Sequence, residues 1–276
     1  MTNTLKILFI GDVVGVPGLK ILKEYLPLLK EKYSSEFIIV NGENACNGKG
    51  LTETESKEIF DAGANVITSG NHIWENWKTK ALLADATNIL RPYNYPPGCV
   101  GRSFCYDIVG ELTICVLQLQ GRTYMQAIDC PFRGADNILK KISQKTNIII
   151  VDFHADATAE KLAMGWHLDG RVSAVLGTHT HVQTADARIM PGGTAYISDV
   201  GMTGASDSVV GMKKDIALRR YIYQTPHKYE VAEGDPKISG AFIEINPEDG
   251  KAVYIEPFIL PEFNKRVESN SIHEVS

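Results

Sequence analysis

Residues able to build one metal-dependent reaction centre stand, again and again, where an apolar run stops. Ile7-Leu-Phe-Ile-Gly-Asp12 ends on Asp12, and Phe37-Ile-Ile-Val-Asn-Gly-Glu-Asn44 ends on Glu43 and Asn44. Val66-Ile-Thr-Ser-Gly-Asn-His72 ends on Asn71 and His72. Ile148-Ile-Ile-Val-Asp-Phe-His154 ends on His154, and Val172-Ser-Ala-Val-Leu-Gly-Thr-His-Thr-His181 ends on His179 and His181. Carboxylate and amide oxygens with imidazole nitrogens, and no required thiolate, suit iron, manganese or zinc rather than an iron–sulfur cluster. Two ions need a bridge, and Glu43 is the natural carboxylate to supply it. A pair of close ions can clamp a phosphoryl group and make water acidic enough to attack it.

Each element alone has an ordinary structural explanation. An Asp after a strand forms turns or caps helices, Glu43-Asn44 fits a loop, and Gly70-Asn71-His72 fits a left-handed turn. A lone His154 is more often a satisfied core histidine than a ligand. His179-x-His181 is a stronger signal, because residues at i and i+2 share one face of an extended segment. Coincidence at five strand ends is the weaker reading, since ligands of open α/β sheets gather beyond the carboxyl ends of strands. Weaker candidates are Cys46 near Glu43, the basic residues Lys49, Arg122 and Arg133, and Asp199 as an orienting carboxylate or a turn former. His167, His227 and His273 are placed outside the site, and Gly192-Gly193 reads as a turn.

The elements that must position these residues are legible as periodicity. Lys6–Ile10, Phe37–Val40, Val66–Thr68, Ile148–Phe153 and Val172–Leu176 have the apolar pattern of strands buried on both faces. Phe104–Val109 and Leu112–Leu119 flank Gly110-Glu111 as a hairpin, and Ala241–Ile245 and Lys251–Ile255 form another. Leu19, Leu22, Leu26 and Leu29 share one helix face, which Pro27 is expected to kink or shorten. Thr52-Glu-Thr-Glu55 is a capping-box pattern, and helices are expected at 134–145 and 157–169. The order predicts an α/β domain with a central sheet pair and helices outside. Residues 1–261 read as a single domain and 262–276 as a polar tail.

Composition narrows the function classes. A formal net charge of −5 argues against an extended nucleic-acid surface, although a metal site could hold a small phosphate ester locally. No run approaches the roughly 20 apolar residues of a membrane span, and the N-terminus lacks the pattern of a secretory leader. The 5 cysteines are odd in number and without a C-x-x-C pair, so a reducing compartment, the cytoplasm, is expected.

The blocks Gly11-Asp12, Gly42-Glu43-Asn44, Gly70-Asn71-His72, His154 and Gly177-Thr-His-Thr-His181 resemble, in order, those of the calcineurin-like metallophosphoesterase superfamily. Two departures, Val14 where histidine is usual and Glu43-Asn44 where the bridging residue is Asp, resemble its YmdB-like subgroup. Gly11-Asp-Val-Val-Gly15 and Gly165-Trp-His-Leu-Asp-Gly-Arg-Val-Ser173 resemble that subgroup too. The resemblance implies a four-layer α-β-β-α sandwich. It implies a first metal on Asp12, Glu43, Asn44 and His181, a second on Glu43, Asn71, His154 and His179, and His72 as general acid. The cofactor would be two divalent or trivalent ions, iron foremost, with manganese or zinc as alternatives. The expected reaction is hydrolysis of a cyclic nucleotide, a 2′,3′-cyclic one for preference, by a metal-bridging hydroxide. A phosphomonoesterase or protein phosphatase on the same core is one rival. A metal-dependent nucleotide-sensing regulator without turnover is another. Homo-oligomerisation is left open, as is segment 120–135, which fits a substrate lip or a subunit contact.

Overall fold

In the strand Leu5–Ile10 (β1), Ile7 and Phe9 face one way and Leu8 and Ile10 the other, and all four are fully buried. A strand buried on both faces needs a layer on each side. The computed structural model, which describes residues 4–263, supplies both. His273 and the tail from residue 264 onward lie outside the described residues.

After β1 come β2 (Asp12–Val13), α1 (Gly15–Tyr33), β3 (Phe37–Asn41), α2 (Glu53–Asp61), β4 (Val66–Thr68), a 3-10 turn (Asn71–Trp74) and α3 (Thr79–Asp85). The middle holds β5 (Phe104–Val109), β6 (Leu112–Gln120), α4 (Pro131–Ile142), β7 (Ile148–His154), α5 (Thr158–Leu168) and β8 (Ala174–Thr178). The last part holds β9 (Arg188–Ile189), β10 (Ala195–Ile197), β11 (Met202–Ala205), α6 (Lys214–Tyr223), β12 (Pro236–Ile245) and β13 (Ala252–Leu260). One sheet runs β2-β11-β12-β1-β3-β4, with β13 on β12; the other runs β5-β6-β7-β8-β10-β9.

Three apolar layers hold this together. Phe9, Phe37 and Ile39 of the first sheet meet Val116, Ile150 and Leu176 of the second. Leu8, Ile10 and Ile38 pack under Leu22, Leu26 and Leu29 of α1. Leu117, Val151 and Phe153 pack under Ile138 and Leu139 of α4 and Met164 of α5. The layers are therefore α-β-β-α, as the resemblance implied. Among the described residues no helix is long and apolar enough to cross a membrane.

Some local expectations need correcting. Pro27 does not end α1, which runs on to Tyr33. Pro27 and Lys23 both face solvent, so water can take up the carbonyl that the missing N–H frees. Helix α4 starts at Pro131 rather than 134, with proline at the first helical position, where its lost donor costs nothing. Strand β8 is shifted to Ala174–Thr178, because its ladder with β7 continues to His154 opposite Thr178. The capping box at Thr52 and Glu55 is formed.

The parallel strands β1, β3 and β4 of one sheet and β7 and β8 of the other all end on the same side of the sandwich. That shared end carries the residues singled out above.

Candidate metal centre

His154 Nε2 is the point on which donor atoms converge. It lies 3.0 Å from Glu43 Oε1, 3.0 Å from Asn71 Oδ1 and 3.1 Å from His179 Nδ1. His154 and Glu43 are fully buried. The proton of the ring is accounted for on its far side. His154 Nδ1 donates to Thr178 Oγ1 (2.8 Å), which donates to Asp152 Oδ1 (2.7 Å), while Asn41 Nδ2 donates to Asp152 Oδ2 (3.0 Å). That chain leaves Nε2 as a lone pair facing a carboxylate oxygen, an amide oxygen and a second imidazole. Separations of about 3 Å between donors match the edges of a coordination shell whose bonds are about 2.0–2.2 Å.

The second group is looser. Asn44 Nδ2 lies 3.0 Å from His181 Nε2, and His181 Nδ1 donates to the Val210 carbonyl at 2.9 Å, so His181 Nε2 is also a lone pair. The amide can equally be turned to bring Oδ1 there. Asp12 Oδ2 accepts from the His179 backbone N–H at 3.2 Å. Asp12 Oδ1, Glu43 Oε1 and Asn44 Oδ1 are buried without any hydrogen-bond partner. Buried oxygens are seldom left so unless something else binds them. The position of Val14, where histidine is usual, pairs directly with Asn44 across a parallel bridge. Asn44 thus stands one strand spacing away and can present its amide where that imidazole would reach.

The field at this point favours positive charge. Burial pushes the Asp12 carboxyl up. Burial also opposes ionisation of Glu43, but His154 outweighs it and holds that carboxyl at about 2. Burial pushes the His154 imidazole down, and Glu43 and Asp12 outweigh it, holding the ring at about 9, so at neutral pH a proton competes with a metal ion for Nε2. Burial and the adjacent His154 push His179 down to about 3, which keeps its lone pair free. The donor set, the unpartnered oxygens and the field all fit metal ions.

Two of these histidines also carry backbone strain. His179 and His181 have φ of 104° and 66°, which β-carbon-bearing residues adopt at a cost of about 1–3 kcal/mol each. The intervening Thr180 N–H donates to Asp199 Oδ2 at 3.0 Å, and buried Lys161 bridges Asp199 Oδ2 (2.6 Å) and the Thr178 carbonyl (2.7 Å). Asp199, considered from sequence as an orienting partner for an imidazole, instead holds the backbone between the two histidines.

His72 stands apart from the convergence point. Its backbone N–H donates to Glu43 Oε2 at 3.1 Å, and its ring lines a cleft of about 470 Å³ with Asn44, His179 and His181. Lys49, Arg220, His227 and Tyr229 line the same cleft. His227, left outside the site from sequence, therefore belongs to its rim; the signal was absent because the long loop after α6 carries it there. His167 stays remote, 3.0 Å from Asp136. Cys46 accepts a hydrogen bond from Asn76 instead of joining the cage. Arg122 and Thr123 are fixed by backbone N–H donation to Glu160, and Arg133 lines a different cavity beside Arg91. The support residues Asp152 and Thr178 escaped sequence reading, although a charged residue two positions before His154 on the same strand face was a usable signal.

Thr178→Val keeps the shape but strands His154 Nδ1–H and takes the donor from Asp152 Oδ1. Metal affinity is expected to fall about 10–100-fold, as read by competition with a chelator. Unchanged affinity would show that the hydroxyl bridge does not orient the ring.

Two face-to-face sheets between helices, with a carboxylate–amide–imidazole cage at the strand ends, define a protein of the metallophosphoesterase type. Residues 8–258 match the family model described as YmdB-like protein, and the chain belongs to that family. It is 48% identical over 256 residues to a 2′,3′-cyclic-nucleotide 2′-phosphodiesterase of Bacillus subtilis (strain 168), covering 93% of this chain and 97% of that one. A crystal structure of a novel phosphatase from Mycoplasma pneumoniae superposes with a TM-score of 0.90 at 33% identity, covering 94% of each chain. A crystal structure of a hypothetical protein from Thermus thermophilus gives a TM-score of 0.87 at 39% identity, covering 92% of this chain and 98% of that one.

Proposed function

We propose that this chain is a metal-dependent phosphodiesterase that opens 2′,3′-cyclic nucleotides. Phosphoester hydrolysis is the activity for which the Bacillus subtilis and Mycoplasma pneumoniae relatives are named, and the cyclic-nucleotide substrate rests on the Bacillus subtilis relative. The observation that carries the chemistry is the convergence of Glu43, Asn71 and His179 on the lone pair of His154, beside a cleft that His72 lines. Glu43, Asn71, His154 and His179 would hold one ion; Asp12, Asn44 and His181, with Glu43 shared, would hold the other. Iron is the first assignment, with manganese and zinc as alternatives. Such ions, when bound, supply charge neutralisation at the phosphoryl group and a nucleophile from water at neutral pH.

The remaining work falls to this chain's own residues. The cleft beside the histidines, lined also by Lys49 and Arg220, is where the substrate would sit. His72 Nε2 donates its proton to the departing ribose oxygen as the P–O bond breaks. Without that proton the leaving group would be an alkoxide, which departs poorly.

His72→Ala is expected to keep its metal by elemental analysis while turnover of a 2′,3′-cyclic nucleotide falls about 10²–10⁴-fold. Full activity in that variant would refute the acid role. A purified, metal-loaded protein inert toward cyclic nucleotides and bis(p-nitrophenyl) phosphate would sink the whole reading. The Mycoplasma pneumoniae structure described as a phosphatase favours one second reading, monoester hydrolysis. Faster turnover of p-nitrophenyl phosphate than of its bis-ester would select it.

A further inference from the structure

We propose that Glu75 is the positioning residue of His72, turning the ring so that Nε2 faces the cleft; this rests on the reading of His72 as the acid. The cause lies in the backbone. Asn71–Trp74 is a 3-10 turn, and the Glu75 N–H closes it by donating to the His72 carbonyl at 3.0 Å. With three residues per turn, side chains at i and i+3 eclipse. Glu75 therefore falls directly beside the imidazole, whereas an α-helical turn would offset it. His72 Nδ1 lies 2.5 Å from Glu75 Oε1.

The carboxylate is itself held. Its other oxygen accepts from Lys49 Nζ at 2.7 Å, from the loop that follows β3 and lines the same cleft. His72 is thus fixed at two points: its backbone N–H on Glu43 and its ring on Glu75. Among the described residues Nε2 has no hydrogen-bond partner, so it is the nitrogen left for a substrate. In the transfer step the Nε2–H bond breaks and an O–H bond forms on the leaving oxygen as the P–O bond cleaves. Nδ1 keeps its hydrogen on Glu75 throughout, so the ring ends as the Nδ1–H tautomer. An ion pair that only decorated the surface would contribute little and would not distinguish one leaving group from another.

Leaving-group dependence therefore tests the assignment. A ribose oxygen needs a proton to depart, and a nitrophenolate does not. Glu75→Ala is expected to lower kcat for a 2′,3′-cyclic nucleotide roughly tenfold to a hundredfold, leaving KM within about twofold. Its loss on bis(p-nitrophenyl) phosphate is expected to stay under about threefold, with metal content unchanged by elemental analysis. Glu75→Gln, which still offers an oxygen to Nδ1–H, is expected to recover most of the cyclic-nucleotide rate. Equal losses on both esters, no loss on either, or lost metal would overturn the role of Glu75 and leave the phosphodiesterase reading standing. A wild-type chain that hydrolyses neither ester overturns both.

Discussion

A Gly70→Ala variant is expected to lose metal and at least about three orders of magnitude in kcat/KM, a barrier increase of roughly 4 kcal/mol. A β-carbon at residue 70 would lie 2.1 Å from His154 Cδ2 and 2.3 Å from its Cγ and Nε2. Real carbon contacts do not come that close, so one group must move. The imidazole cannot yield within its site. It is fully buried, its Nδ1–H is committed to Thr178, and His179 stands 3.1 Å away on the other side. Backbone movement at Gly70 is no easier, because the next residue, Asn71, presents its oxygen to the same nitrogen. Either way the convergence point is lost. Overpacking typically costs about 1–3 kcal/mol of stability, so the variant should still fold. Elemental analysis and steady-state kinetics on one preparation decide the matter. Wild-type metal content with activity within about threefold would show that the strand end adjusts without penalty.

The second large effect is on stability. Lys161 and Asp199 are 2% and 1% exposed and 2.6 Å apart. Removing one partner of such a pair leaves an uncompensated buried charge and costs about 3–5 kcal/mol. Lys161→Met should therefore lower Tm by roughly 5–9 °C in a chain of this size. Asp199 would keep the Thr180 and Gly201 N–H donors, which hydrate a carboxylate only in part. The Thr178 carbonyl would lose its lysine as well. Since these groups hold the left-handed backbone at His179 and His181, metal affinity should fall alongside stability. Lys161→Met with Asp199→Asn removes both charges while leaving an oxygen for Thr180, so most of the lost Tm should return. A single variant melting within about 2 °C of wild type would mean that water or a local shift satisfies Asp199.

The site was legible in the sequence to an unusual degree because each candidate ligand ends a strand. A both-sided apolar run followed by a polar residue is a one-dimensional signal, and Asp12, Glu43, Asn44, Asn71, His154, His179 and His181 all carry it. The layers were legible for the same reason, since β1, β3 and β7 show no polar face. What was not legible depends on residues that meet only after folding. Lys161 lies within a helix whose pattern gives no reason for a buried cation. His227 lies in a loop whose path sequence does not reveal. That α1 continues past Pro27 was not legible, because tolerance of the proline depends on which face of the helix is solvated.

Sequence by itself supplied the candidate donors, their order along the chain and the expectation of a sheet pair, because periodicity and residue chemistry are local properties. Tertiary structure alone decided the division of labour within that set. The chain Asp152–Thr178–His154 sets which nitrogen faces the other donors, the bridge between Val14 and Asn44 sets the amide beside that position, and the 3-10 turn sets Glu75 against His72. These are through-space relations between strands and turns. Their distances follow from sheet register and packing, which no spacing along the chain encodes.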